Sequence, residues 1–524
     1  MINLCQVTNL NAFMYKTLFI LFIPFFLILS DVVSAQSTNP YNRPVDSAAL
    51  RQWAYRNIDS LRDIIPATQN KLMLISLHMK RAAAEGIVNK PDDAISDYKA
   101  VIDLEPNFAD AYWFRGVQYQ KKKNYEAALA DYEKLTGLLK NNSARLATVY
   151  ANIGFAQFRL KNYSKALISD STSLSINPNN GFVYENTALI YIQLKNYKKA
   201  IENYDACIPL ERNRGDRVVS KIVAARGDAN SYLKKNKEAI NDYQAAIRLY
   251  PDNKFAIWNL GVTYMGNGDY ELAAITFDKT IPYFAGDDKM LAELYNDKAQ
   301  AEVSIQKNEA ALHDDSIALT HNSEYGPAYW NMANAYSLVA DFDQSLNYYR
   351  KTLKYYNTPA EQSSLNDAIA EDAFFIGHYD EVIEADNKAI ALDDHAWSPY
   401  LNRGRAYLKL DKKDKAIDDF KKVLALDTTK KSYAYAFALF YMGSGEQALQ
   451  VMQNNVVSTN DAAMLMSHYY NLACLYSMLN KPDEANIYLK KCIGAGYSKK
   501  YAQMDSDLEN IKGTQDFKEM MNAK

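Results

Sequence analysis

Hydrophobic and polar positions recur along this chain with the spacing of paired helices. Tyr112–Tyr119, Trp258–Tyr264 and Tyr400–Tyr407 each carry apolar residues three and four apart around a central glycine, the spacing of one helical face. Each is followed by a short polar turn, then by an alanine with an aromatic four residues beyond: Ala128 and Tyr132, Ala273 and Phe277, Ala416 and Phe420. The distances from Ala94 to Ala128, Ala166 to Ala200, Ala239 to Ala273 and Gly227 to Gly261 are all 34 residues. The pattern predicts an all-α array of about twelve helix-turn-helix units from roughly Leu74 to Tyr497.

Small residues hold one phase in the first helix (Gly116, Gly154, Ala188, Gly227, Gly261, Ala299, Ala333, Gly404, Ala473) and alanine opens the second. Mid-helix glycine costs about 0.5–1 kcal/mol relative to alanine, so its recurrence at one phase predicts close helix packing there. Pro106, Pro178 and Pro251 follow second helices and stop them. Lys123-Asn124-Tyr125, Lys161-Asn162-Tyr163 and Lys195-Asn196-Tyr197 mark the turns within units, with asparagine expected at the left-handed cap. The steps from Ala128 to Ala166 and from Ala273 to Ala311 are 38 residues, and that from Ala200 to Ala239 is 39. Four extra residues are about one helical turn, which predicts lengthened helices. Asn213–Asp216 reads as an exposed loop, and the units near 370–389 and 433–456, where Ser345 and Val382 replace alanine nearby, match the pattern less well.

A helix-turn-helix unit of about 34 residues with these small and aromatic positions resembles the tetratricopeptide repeat. The resemblance covers 74–497 and implies a right-handed superhelical solenoid with a concave groove and terminal capping helices. Asp46–Ile65 is an amphipathic stretch suited to capping the first unit, within a linker and capping region at 36–73. The 498–524 segment, with Leu508, Ile511, Phe517 and Met520, is suited to covering the last one.

Lys16 followed by the apolar run Leu18–Leu29, then Val33-Ser34-Ala35, reads as an export signal over 1–35 cleaved before Gln36. A run this short, broken by Pro24, falls below the about 20 residues of a membrane span; an uncleaved anchor is the alternative. The expected location is periplasmic or extracellular. The net charge of −3 gives no basic surplus for nucleic acid. The 40 tyrosines mostly occupy packing phases. Cys207 and Cys492 share a phase suited to small buried residues, and a Cys474–Cys492 disulfide is open in an oxidising compartment.

Catalytic chemistry finds no motif. The six histidines are scattered, no zinc-like spacing or phosphate-binding glycine loop is present, and no cofactor or metal is expected. His313-Asp314-Asp315 and pairs such as Asp92-Asp93, Asp287-Asp288, Asp393-Asp394 and Asp418-Asp419 read as solvated helix faces or helix ends. The sharper pattern lies two residues before the small position, where Asn152, Asn186, Asn259, Asn331, Asn402 and Asn471 recur. By the family resemblance this phase lines the concave face, and the row resembles the peptide-holding asparagine ladder of the O-GlcNAc transferase repeats. Phe114, Ala225, Asp297 and Ala368 interrupt it. Trp113, Trp258 and Trp330 occupy the neighbouring phase, joined by Phe155, Phe158, Phe182 and Phe255. These rings are either binding anchors or packing between successive first helices. Lys221 and Arg405 are the basic exceptions on this face, so the carboxylate clamp of co-chaperone repeats is not reproduced. The expected function is non-catalytic binding of a protein or extended peptide, as a scaffold in a cell-envelope assembly, with homo-oligomerisation open. The alternative is glycan or small-ligand capture on the groove aromatics.

Overall fold

The structure, a computed structural model, describes residues 48–140, 142–459 and 462–523. The expected signal peptide, its cleavage point and the linker before the first helix lie outside the described residues. The chain divides into two compact units, one ending at Ala256 and the other beginning at Ile257. Among the described residues every regular element is helical, and none is long and apolar enough to cross a membrane.

In the first unit the helix Ala48–Ala67 precedes five helical pairs, from Lys71–Ile87 with Pro91–Leu104 to Asp216–Tyr232 with Asn236–Leu249. It runs through Pro66 rather than ending before it, and it packs on the first pair with Ala54 and Ile58 against Ala84. The helix Lys254–Asn267, in which the unit boundary falls, pairs with Tyr270–Thr280. Six further pairs follow, ending with Ala462–Met478 and Pro482–Gly494. The described residues thus hold twelve pairs in all.

The irregular spacing has a simple origin. First helices of 17 residues (Lys71–Ile87, Ser143–Arg159, Asp216–Tyr232, Asp288–Ser304, Pro359–Phe375) alternate with shorter ones such as Ala109–Lys121 and Gly181–Gln193, each of 13. The excess is one turn, added at the N-terminal end. The repeating element over the first ten pairs is therefore a long-short doublet. The loop expected at 213–216 is a short 3-10 turn, Arg212–Arg214, leading to Gly215 at φ +96°.

Small residues admit rings rather than bare backbone. A methyl at Gly116 would lie 2.7 Å from the Tyr132 ring, and one at Gly261 or Gly404 would lie 2.7 Å from Phe277 or Phe420. Those rings are completely or almost completely buried. Val382 and Ser345 keep the alanine phase, both fully buried; the Ser345 hydroxyl donates to the Ala333 carbonyl at 2.8 Å. A cationic side chain beside the small residue stitches each helix to its partner in five pairs. Arg81 reaches Asp97 at 2.7 Å, Arg115 reaches Asp131 at 2.7 Å, and Arg226 reaches Asp242 at 2.5 Å. Lys298 meets Asp314 at 3.1 Å and Arg403 meets Asp419 at 2.6 Å. These contacts correct the solvated-face expectation for Asp314, Asp315 and Asp419: all three are buried. Asp315 takes the ring position of its pair and accepts the Asn296 amide at 2.9 Å.

The turns within pairs also differ from expectation. It is the lysine, not the asparagine, that turns left-handed: Lys123, Lys161 and Lys195 have φ of 61°, 61° and 55°. The asparagine that follows starts the next helix, where Asn124 accepts from the Ala127 N–H and Asn196 from the Lys199 N–H. Lys123 N donates to Gln120 O and Asn124 N to Tyr119 O, the double bond pattern that closes a helix on a left-handed residue.

Candidate binding site

In the second unit, first helices of successive pairs lie side by side: Pro359–Phe375 touches Ser398–Lys409, which touches Tyr433–Tyr441, which touches Ala462–Met478. A cavity of about 210 Å³ opens on this face. Its far wall is the C-terminal segment, which does more than cap. Leu508, Ile511 and Phe517 join the core with Ala485, Leu489 and Cys492. Tyr497, Tyr501, Asp505 and Asp507 instead turn toward the first helices. Tyr501 stands edge-on to Phe375 with centroids 4.4 Å apart and to Phe342 at 5.5 Å, and Tyr497 stacks on Tyr470 at 4.2 Å.

Polar groups meet in this aromatic enclosure. Arg405 donates to Asp507 at 2.7 Å while its guanidinium lies 4.2 Å from the centre of the Phe374 ring. Its Nε is buried without a hydrogen-bond partner. The Tyr470 hydroxyl donates to Asp505 at 2.5 Å. Burial pushes the Asp507 carboxyl up to about 6, against the pull of Arg405. Glu371 lies four residues before Phe375 on the same helix. It is open to water through the cavity mouth, yet the surrounding protein and then Asp367 and Asp372 push its carboxyl up to about 7. Asp367 beside it accepts from Ser398 at 3.2 Å and Asn402 at 3.1 Å.

Of the expected ladder, Asn402 and Asn471 reach this cavity wall. The others are spread along the two units, and several amides are already engaged within the scaffold. Buried Asn186 donates to Asp170 at 2.7 Å, Asn152 to the Thr148 carbonyl at 2.9 Å, and Asn331 to the Asn296 carbonyl at 3.4 Å. Asn259 is half-buried. The aromatic candidates separate likewise. Trp113 is buried at 8% exposure against Tyr132, and the half-buried Trp258 donates its indole N–H to Asp297 at 3.1 Å. Trp330 meets Tyr356 edge-on at 4.9 Å. Phe155 and Phe182 pack together at 5.9 Å, and Phe255 is exposed. Three tryptophans that were candidate stacking platforms thus have rings or polar edges engaged inside the protein. Cys474 and Cys492 are separate buried thiols, and burial raises both.

Glu371, Arg405 and Cys474 share one phase, the residue after the small position. That phase faces the cavity together with Asn402 and Asn471 of the asparagine phase, and Arg405 as a basic exception was its visible sign in the sequence.

Sequence profiles described as tetratricopeptide repeat match residues 88–144, 183–214, 225–288, 398–429 and 469–495. This chain is a multi-repeat tetratricopeptide protein. It is 32% identical over 117 residues to the DnaJ homolog subfamily C member 7 homolog of Dictyostelium discoideum, covering 22% of this chain and 21% of that protein. It is 21% identical over 196 residues to tetratricopeptide repeat protein 6 of Homo sapiens, covering 37% and 36%. The tetratricopeptide chain therefore spans about a fifth and about a third of the length of these relatives. Among solved structures, the C-terminal part of a repeat protein from Cytophaga hutchinsonii is 19% identical, covering 56% of this chain and 99% of that one, with a TM-score of 0.36.

Proposed function

We propose that this tetratricopeptide protein is a non-catalytic interaction scaffold that holds an extended protein segment against the first helices of its last four repeats. One observation carries the reading: a cavity opens on that face, lined by aromatic side chains together with Glu371, Asn402, Asn471 and Arg405, whose Nε has no partner. Interaction sites combine apolar anchors with a few placed polar groups, and repeat arrays offer such surfaces along adjacent helices. The lysine and apolar run near the N-terminus support action outside the cytoplasm, in a cell-envelope assembly.

Site-specific photo-crosslinking in the native cell tests this. A photoreactive phenylalanine replaces Tyr433 at the cavity mouth, or Ile417, which is exposed on a second helix. The expected outcome is one protein species crosslinked from position 433 and not from 417. Crosslinks from 417 alone, or none from either, would refute the placement of the site.

A further inference from the structure

The cavity of the last four repeats carries an imbalance that its own side chains leave unresolved. Its lining holds three carboxylates, Glu371, Asp505 and Asp507, and one cation, Arg405. Two of the carboxylates are engaged, Asp507 by Arg405 and Asp505 by the Tyr470 hydroxyl and the Asp507 N–H. Glu371 has no hydrogen bond; Asp367 and Asp372 stand close enough to oppose its charge, against a weaker pull from Arg405. A positive group arriving at exposed Glu371 would relieve this repulsion.

The surroundings narrow the choice of cation. Among the described residues, the cavity carboxylates do not converge on a point as metal ligands would; the one cluster that does is the exposed Asp393, Asp394 and His395. Aromatic rings surround the cavity instead, with Tyr433 at the mouth and 36% exposed, and Phe375 and Tyr501 edge-to-face within. Organic cations are attracted to aromatic faces. The volume, about 210 Å³, lies below the roughly 300–1,000 Å³ typical of pockets for whole small ligands. It suits one long side chain entering from a segment that continues outside.

We infer that this cavity recognises a lysine or arginine side chain of the bound segment, with Glu371 as its counter-ion and the Tyr433, Tyr501 and Phe375 rings around the aliphatic stem. The inference rests on the scaffold reading above and names its specificity. Arg405 serves a different end: held by Asp507, it anchors the C-terminal segment that completes the wall.

The test selects random twelve-residue peptides displayed on phage against the intact chain and against Glu371→Gln, a replacement of equal size that removes the charge. The leading synthetic peptide and its norleucine counterpart, with the basic residue replaced, are then titrated calorimetrically. The expected result is enrichment of lysine or arginine at one position, with norleucine weakening binding roughly tenfold or more. Glu371→Gln should bind the basic peptide as weakly as the intact chain binds the norleucine peptide. Peptides enriched without a basic preference, or a preference surviving in Glu371→Gln, would overturn cation recognition while leaving the scaffold reading standing. Failure to enrich any peptide, together with no crosslink from position 433, would overturn both.

Discussion

Buried carboxylates are the least expected residues in this protein. Asp170, Asp315 and Asp386 stand where other repeats place Tyr132, Tyr243 or Phe420, and each is essentially inaccessible. Burial pushes Asp170 up to about 7 and Asp315 up to about 8, despite the amides of Asn186 and Asn296, while burial and then Asp367 hold Asp386 well above the ordinary carboxylate range. The sign of the linkage follows directly. A carboxyl whose folded value is raised contributes stability that is complete below the unfolded value of about 4 and is lost as pH climbs through the folded value. For Asp315 that window runs from about 4 to about 8. Asp315→Asn keeps the acceptor for Asn296 and removes the titration. It should raise stability at pH 8 by on the order of 1–3 kcal/mol and change it little at pH 4. Denaturant melts at the two pH values would check this, and an equal effect at both would reject it. Sequence alone puts Asp314 and Asp315 on a wet face, because charge does not reveal which side of a helix meets a neighbour.

Among the elements, the turn within each pair carries a local contradiction. Its left-handed slot is glycine at Gly268, Gly377 and Gly443, yet Lys123, Lys161, Lys195, Lys234, Gln306, Ala340 and Asp411 fill it elsewhere, and asparagine does so at Asn89 and Asn480. A left-handed residue with a Cβ costs about 1–2 kcal/mol, and the following cap and the packed pair hold it in place. Lys195 is exposed, so its side chain contributes little to packing. Lys195→Gly should therefore stabilise the protein, by about 0.5–1 kcal/mol after the larger unfolded-state entropy of glycine is subtracted. Equilibrium denaturation would show it, and a loss of stability would mean that the lysine makes a contact outweighing its strain. The sequence did reveal that turns occur at these points. The division of labour between lysine and asparagine was not legible, since both residues suit a polar turn and the bonding pattern separates them.

In the whole molecule, neighbour-to-neighbour packing makes the ends matter. The C-terminal segment covers the last pair with Ile511, which is fully buried, while Asp507 reaches back 102 residues to Arg405. Ile511→Asp would place an unpaired charge in that core. It should destabilise the second unit by about 3 kcal/mol or more and release hydrogen-exchange protection in 433–494. Protection in the first five pairs should persist, because repeats exchange stability chiefly with their neighbours. Loss of protection throughout both units would contradict this view of the array.

The sequence by itself determined the repeat period, the number of helical pairs, the small and aromatic packing positions and the added turns. These depend on contacts at fixed short separations, such as the 16 residues between Arg115 and Asp131, which five of the twelve pairs restate. Tertiary structure alone decided which phase faces a cavity, which carboxylates are buried, and that Arg405 meets Asp507. A contact made once, across 102 residues of chain, leaves no periodic trace, and its partners acquire their meaning when the fold brings them out of water together.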